Sequence, residues 1–146
     1  MDIVWHEIKN SHDPEVVYSI VSDPEFFLTR VIEVDGLQRV GEDTYSGKVT
    51  GMKVRITVYR GAENTTFIFY MEPTGFARFT KGKVVRKFVV RKGESSVLVE
   101  FEKQLAVDAV WDQDAALLKT TLDRAVEELQ RNGDEIIRME RVKRKI

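Results

Sequence analysis

Residues 11–27 read Ser-His-Asp-Pro-Glu-Val-Val-Tyr-Ser-Ile-Val-Ser-Asp-Pro-Glu-Phe-Phe, and the rest of the chain falls into order around them. Asp13-Pro14-Glu15 is a helix start. The Asp13 carboxylate can accept from the free N–H groups of a first turn, the fixed φ of Pro14 suits that turn, and Glu15 sits at the positive end of the helix dipole. Val16, Val17, Ile20 and Val21 supply the apolar stripe. Ser22-Asp23-Pro24-Glu25 repeats the signal, and Phe26, Phe27 and Leu28 follow. Two short helices in series are expected. Upstream, residues 2–9 alternate, with Val4, His6 and Ile8 on one face and Ile3, Trp5 and Glu7 on the other, which is the period of a strand.

Downstream the period of two returns. Val31–Leu37, Thr44–Thr50, Met52–Arg60, Thr65–Glu72, Phe76–Arg91 and Ser95–Val107 read as strands. They are separated by short Gly-, Pro- and Asn-bearing breaks of hairpin length, so an antiparallel meander is expected. Gly82, inside the longest of these runs, suggests a bulge or bend. From Asp112 the spacing becomes helical: Trp111, Ala115, Leu118, Leu122, Ala125 and Leu129 share a face opposite Lys119, Asp123, Glu127 and Arg131. Asn132-Gly133 ends or kinks this helix, and Ile136, Ile137 and Val142 mark a further helical segment. The predicted class is α+β: a curved antiparallel sheet of about seven strands wrapped around a long C-terminal helix, with two short helices after the first strand closing one end.

Composition narrows the function. The chain has 146 residues, 42% hydrophobic and 32% charged, and no cysteine. Disulfides, thiolate metal sites and cysteine nucleophiles are excluded. The net charge of −1 is unevenly laid out: −7 over residues 1–46, +7 over 47–103 and −1 over 104–146. Acidic and basic regions either neutralise each other in the fold or present opposite faces to a partner. The overall neutrality gives no expectation of nucleic-acid binding. No signal-peptide pattern and no run near the ~18 apolar residues of a membrane span is seen, so a cytoplasmic protein is expected. Only three Asn and four Gln occur among many Lys, Arg and Glu, a lean toward a thermophilic source.

The order of elements, together with the Ser11–Phe27 stretch, resembles the START-like or SRPBCC superfamily, whose members share the helix-grip fold of the birch-pollen allergens. The resemblance lies in the small-residue-Pro-Glu-x-Val-Tyr helix followed by the Ser-Asp-Pro-Glu helix; Phe26 and Phe27 stand where the family often carries Trp or Tyr. The element order covers nearly the whole chain, which implies one ligand-binding domain over residues 1–146. The resemblance implies a cavity between sheet and C-terminal helix. It names no reaction, since the superfamily spans lipid carriers, cyclases and co-chaperones.

Alternation supplies the candidate lining of that cavity: Val54, Ile56, Val58, Phe67, Phe69, Met71, Arg86, Phe88, Val99 and Phe101 on the sheet, and Trp111, Leu118 and Leu122 on the helix. A packed core would have the same composition. Arg86, between Val84 and Phe88, can hold an acidic head group with its planar fork of donors; alternatively a bulge turns it outward, or an acid such as Glu33 pairs with it. His6 reads more readily as a structural histidine than as an acid–base group. Glu100 and Glu102 share the opposite face and are expected to be solvated. With two histidines on separate elements, no metal site, cofactor or catalytic motif is read. The Arg141–Lys145 run either meets phosphate or favours the negative end of its own helix. The expected partner is a small hydrophobic molecule or lipid, with a cyclase- or dehydratase-like enzyme, or an interaction module with a filled interior, as the alternatives.

Overall fold

The computed structural model describes residues 3–49, 51–72, 84–105 and 113–146, with backbone alone at 84, 103–105 and 113–115. Strand β1 (Ile3–Ile8) leads to α1 (Pro14–Val21), a single turn α2 (Pro24–Phe26) and a π-type turn at Phe27–Val31. The strands β2 (Asp35–Gly41), β3 (Thr44–Val49), β4 (Met52–Arg60), β5 (Asn64–Glu72), β6 (Val84–Lys92) and β7 (Val97–Leu105) follow, then helices α3 (Gln113–Arg131) and α4 (Gly133–Arg144). The sheet is antiparallel with order β1-β7-β6-β5-β4-β3-β2. This is the helix-grip α+β architecture expected from the sequence. Gly82 and the N-terminal part of the Phe76–Arg91 run lie outside the described residues.

The two Asp-Pro-Glu starts behave differently. Asp13 caps α1, its carboxylate accepting from the Glu15 N–H at 2.9 Å. Asp23 makes no capping bond; it accepts instead from Arg144 at 2.7 Å. The second helix is then wound wider, with the Ile32 N–H donating to the Phe27 carbonyl at 3.0 Å. That extra winding carries Val31 and Ile32 into the core. The second strand therefore begins at Asp35, not at Val31 as the alternation predicted. Its register is broken by irregularities between Asp35 and Gln38 and between Arg39 and Gly41.

The other strand readings hold in their described parts. Register sets two faces. One joins Val58–Phe67–Phe88–Phe101–Val4 across β4, β5, β6, β7 and β1. Its side chains form one core cluster with α1, the π-type turn and the apolar stripe of α3. Phe27 stacks on Phe67 with ring centroids 4.3 Å apart, and Phe88 stacks on Phe101 at 4.6 Å. The Tyr18 hydroxyl donates to the Gly61 carbonyl at 2.7 Å and meets Thr65 Oγ1 at 2.8 Å, which fixes α1 to the β4–β5 turn. The break at Asn132-Gly133 falls where the sequence placed it.

Charges of the acidic and basic regions meet across the fold. Arg60 pairs with Asp43 at 2.9 Å, and Arg144 joins Asp23 at 2.7 Å and Glu140 at 3.1 Å. The basic tail thus has partners of its own on α2 and α4, besides any dipole effect. Among the described residues, no helix is long and apolar enough to cross a membrane.

Candidate functional site

The sheet brings together the residues that alternation selected. Val54, Ile56, Val58, Phe67, Phe69, Met71, Phe88, Val99 and Phe101 are all buried, as are Leu118 and Leu122 of α3. Trp111 lies outside the described residues. Each strand contributes by parity alone, because successive side chains point to opposite faces.

Arg86 is the exceptional member. It stands in register with Phe69 on β5, with Phe88 two residues on, and has 0% exposure. The register through Arg86 is regular over the described part of β6; the bulge expected near Gly82 lies outside the described residues. Glu33 is exposed, on the turn before β2. Arg86 Nη1 donates to the Val85 carbonyl at 3.3 Å. A guanidinium stays charged under all ordinary conditions, and taking it out of water costs several kcal/mol unless anions and acceptors meet it.

His6 also faces inward, toward α3. Its Nε2 lies 2.7 Å from Asp123 Oδ1, while Lys119 holds the other oxygen at 2.7 Å. The His6–Asp123 contact is close but is not aligned as a hydrogen bond. Together with the bond from Gln130 Nε2 to the Glu7 carbonyl, it ties α3 to the edge strand. His12 is bound in a second tie: its Nε2 meets the Asp134 carbonyl at 2.9 Å, and Arg141 approaches Nδ1 at 3.5 Å.

The outer face departs from expectation at two places. Lys53, Arg55 and Tyr59 are exposed, but Glu100 and Glu102, expected to be solvated, are 6% and 7% exposed. Glu100 lies in register between Trp5 and Val89, and Glu102 between Ile3 and Lys87. Arg91 and Lys87 reach them at 3.5 Å. Neighbouring long side chains cover the carboxylates, which alternation cannot foresee because it reports the face and not the depth.

Recesses among the described residues also lie away from the aromatic layer. One of about 350 Å³ lies between α2, the π-type turn and α4, with Arg30, Lys143 and Arg144 in its wall. Another, of about 800 Å³, opens on β2, β3 and β4, and its lining includes Lys48, Lys53, Arg55, Asp35 and Glu72. Sequence reasoning did not bring these three bases together, because Lys48 joins Lys53 and Arg55 on one face only through the β3–β4 register.

With this geometry in hand, comparison defines the class. A protein-family model matches residues 1–146, and the chain belongs to the START-like, or SRPBCC, superfamily. It is similar to a hypothetical protein from Sulfolobus tokodaii, with 27% identity over 98% of this chain and 99% of that one, and a TM-score of 0.65. A conserved protein from Geobacillus kaustophilus shares 17% identity over 89% and 95% of the two chains, with a TM-score of 0.56. The Aha1 dimer from Colwellia psychrerythraea shares 15% over 89% and 97%, with a TM-score of 0.53. The last two similarities concern the fold alone. No curated protein matches the chain.

Proposed function

We propose that the protein binds a small hydrophobic or amphipathic molecule between the sheet and α3, with Arg86 as the anchor for an acidic head group. The observation that carries this reading is the full burial of Arg86 on the inner face, in register with Phe69 and two residues from Phe88. Phe69, Phe88, Leu118 and Leu122 offer the apolar surface for the ligand's body, at roughly 25 cal/mol for each Å² removed from water. The guanidinium offers a planar fork that matches a carboxylate or phosphate.

The test uses protein isolated from its own host and examined by native mass spectrometry for a retained ligand. It is followed by titration with a long-chain fatty acid and with the corresponding alcohol. Wild type should prefer the acid, and Arg86→Met should lose that preference. An unchanged affinity for the acid would reject the anchor. A cyclase-like enzyme in the same place needs convergent polar groups. Among the described residues, the Tyr18–Thr65 pair lies four residues along β5 from the register partner of Arg86, about 13 Å away.

The reading as an interaction module with a filled interior has one observation in its favour. The stacked rings of Phe27, Phe67, Phe88 and Phe101 occupy the α1 side of the interior. Protein that retains nothing and binds neither probe would favour it.

A further inference from the structure

We propose that the groove on β2, β3 and β4 is a second binding site, independent of the interior, for a phosphate-bearing ligand held by Lys48, Lys53 and Arg55. The groove has a volume of about 800 Å³. Lys48 and Lys53 are register partners on adjacent antiparallel strands, and Arg55 follows Lys53 by two residues on the same outer face. Like charges directly opposite across a ladder destabilise the sheet. Other bases of this sheet have acids close by: Arg60 has Asp43, Lys87 has Glu102 and Arg91 has Glu100. Among the described residues, Lys48, Lys53 and Arg55 close no ion pair. Asp35 and Glu72 stand at the two ends of the row, in register with Lys48 and Lys53, and leave the like-charged pair at its centre.

The geometry favours phosphate over carboxylate. Opposed residues of an antiparallel pair lie about 5 Å apart, and alternate residues of one strand about 6.6 Å apart. Three cations so spaced can each take a separate oxygen of a tetrahedral dianion, whereas a carboxylate brings two oxygens and one charge. The glycine on the opposite parity is part of the design. A Cβ on Gly47 would stand 2.8 Å from the Asp35 carbonyl oxygen and 2.5 Å from Val34 Cγ1, so only glycine lets β2 close against β3 and form the groove's side wall.

The full-length chain is titrated at low salt with inorganic pyrophosphate by calorimetry, and separately sedimented with phosphatidylcholine vesicles containing phosphatidic acid. Wild type should bind in at least one arm, the first indicating a free phosphate and the second a lipid head group. Lys53→Glu/Arg55→Glu should weaken that binding by at least about tenfold. Lys143→Glu/Lys145→Glu at the C-terminal end of α4 makes the same change in net charge and should leave it within about twofold. Absence of saturable binding in both arms overturns the proposal, as does equal loss in the two double variants. The surface substitutions should leave the unfolding midpoint nearly unchanged. Arg86→Met serves as the cross-check: it should not alter pyrophosphate binding, so failure of this site and failure of the interior site are distinguishable.

Discussion

The two faces of the sheet are built from the same strands, one residue out of step, yet they treat charge in opposite ways. The inner face carries Arg86 with no exposure, in register with Phe69 and two residues from Phe88. The outer face carries many charges and sorts them by neighbourhood: Glu100 and Glu102 are buried beside Arg91 and Lys87, whereas Lys48, Lys53 and Arg55 are exposed and, among the described residues, close no ion pair. A charge buried inside the grip and like charges opposed across a ladder outside it each carry a cost that their contacts must offset. The difference between them teaches where to look for ligands. Under the two proposals, the inside takes an apolar body with one acidic end and the outside takes a compact polyanion.

The comparison can be broken most severely from the inside. Phe88→Ala removes a ring that contacts Phe27, Phe69 and Phe101, and should cost about 3–5 kcal/mol in urea unfolding. A much smaller loss would mean that the layer is loosely packed and can open. Gly47→Ala acts at the boundary of the outer groove. The clash with the Asp35 backbone should cost about 1–3 kcal/mol and weaken pyrophosphate binding with it; a neutral result would remove the close β2–β3 approach from the account. Glu100→Gln keeps the shape of a buried outer side chain but gives up its charge beside Arg91. At 3.5 Å, with Arg91 partly exposed, the expected loss in unfolding free energy is below about 1 kcal/mol.

The smallest expected effect concerns acid. The Ser11 N–H bonds to Asp134 Oδ1 at 2.8 Å, and this bond, with a smaller contribution from the charge of His12, holds the Asp134 carboxyl below its ordinary 3.8. A depressed carboxylate stabilises the fold above its unfolded pKa and loses that contribution as pH falls through the folded one. Wild type should therefore melt slightly above Asp134→Asn at neutral pH. The two curves should converge below about pH 4. Parallel curves throughout would show that the β1–α1 loop does not depend on this bond.

Much of this was legible in the sequence because parity is a local property. Alternation assigned Val54, Phe67, Phe88 and Val99 to one face without reference to any partner, and it placed Arg86 there with them. The start of α1, the break at Asn132-Gly133 and the meander all follow from a few adjacent residues. The misreadings share a cause. The onset of the second strand at Asp35, the burial of Glu100 and Glu102 and the partner of Asp23 each depend on groups remote in the chain. Identical Asp-Pro-Glu triplets gave a capped helix at Asp13 and, at Asp23, a single turn whose carboxylate is taken by Arg144.

By itself, then, the sequence determined the order of elements, the two faces of the sheet and the residue types available to each, because these depend on backbone periodicity and turn chemistry over short spans. Tertiary structure decided which charges are covered, which are paired and which are left facing a groove. Those outcomes depend on strand register and on side chains more than a hundred residues apart, as Arg144 and Asp23 are, and no local pattern encodes them.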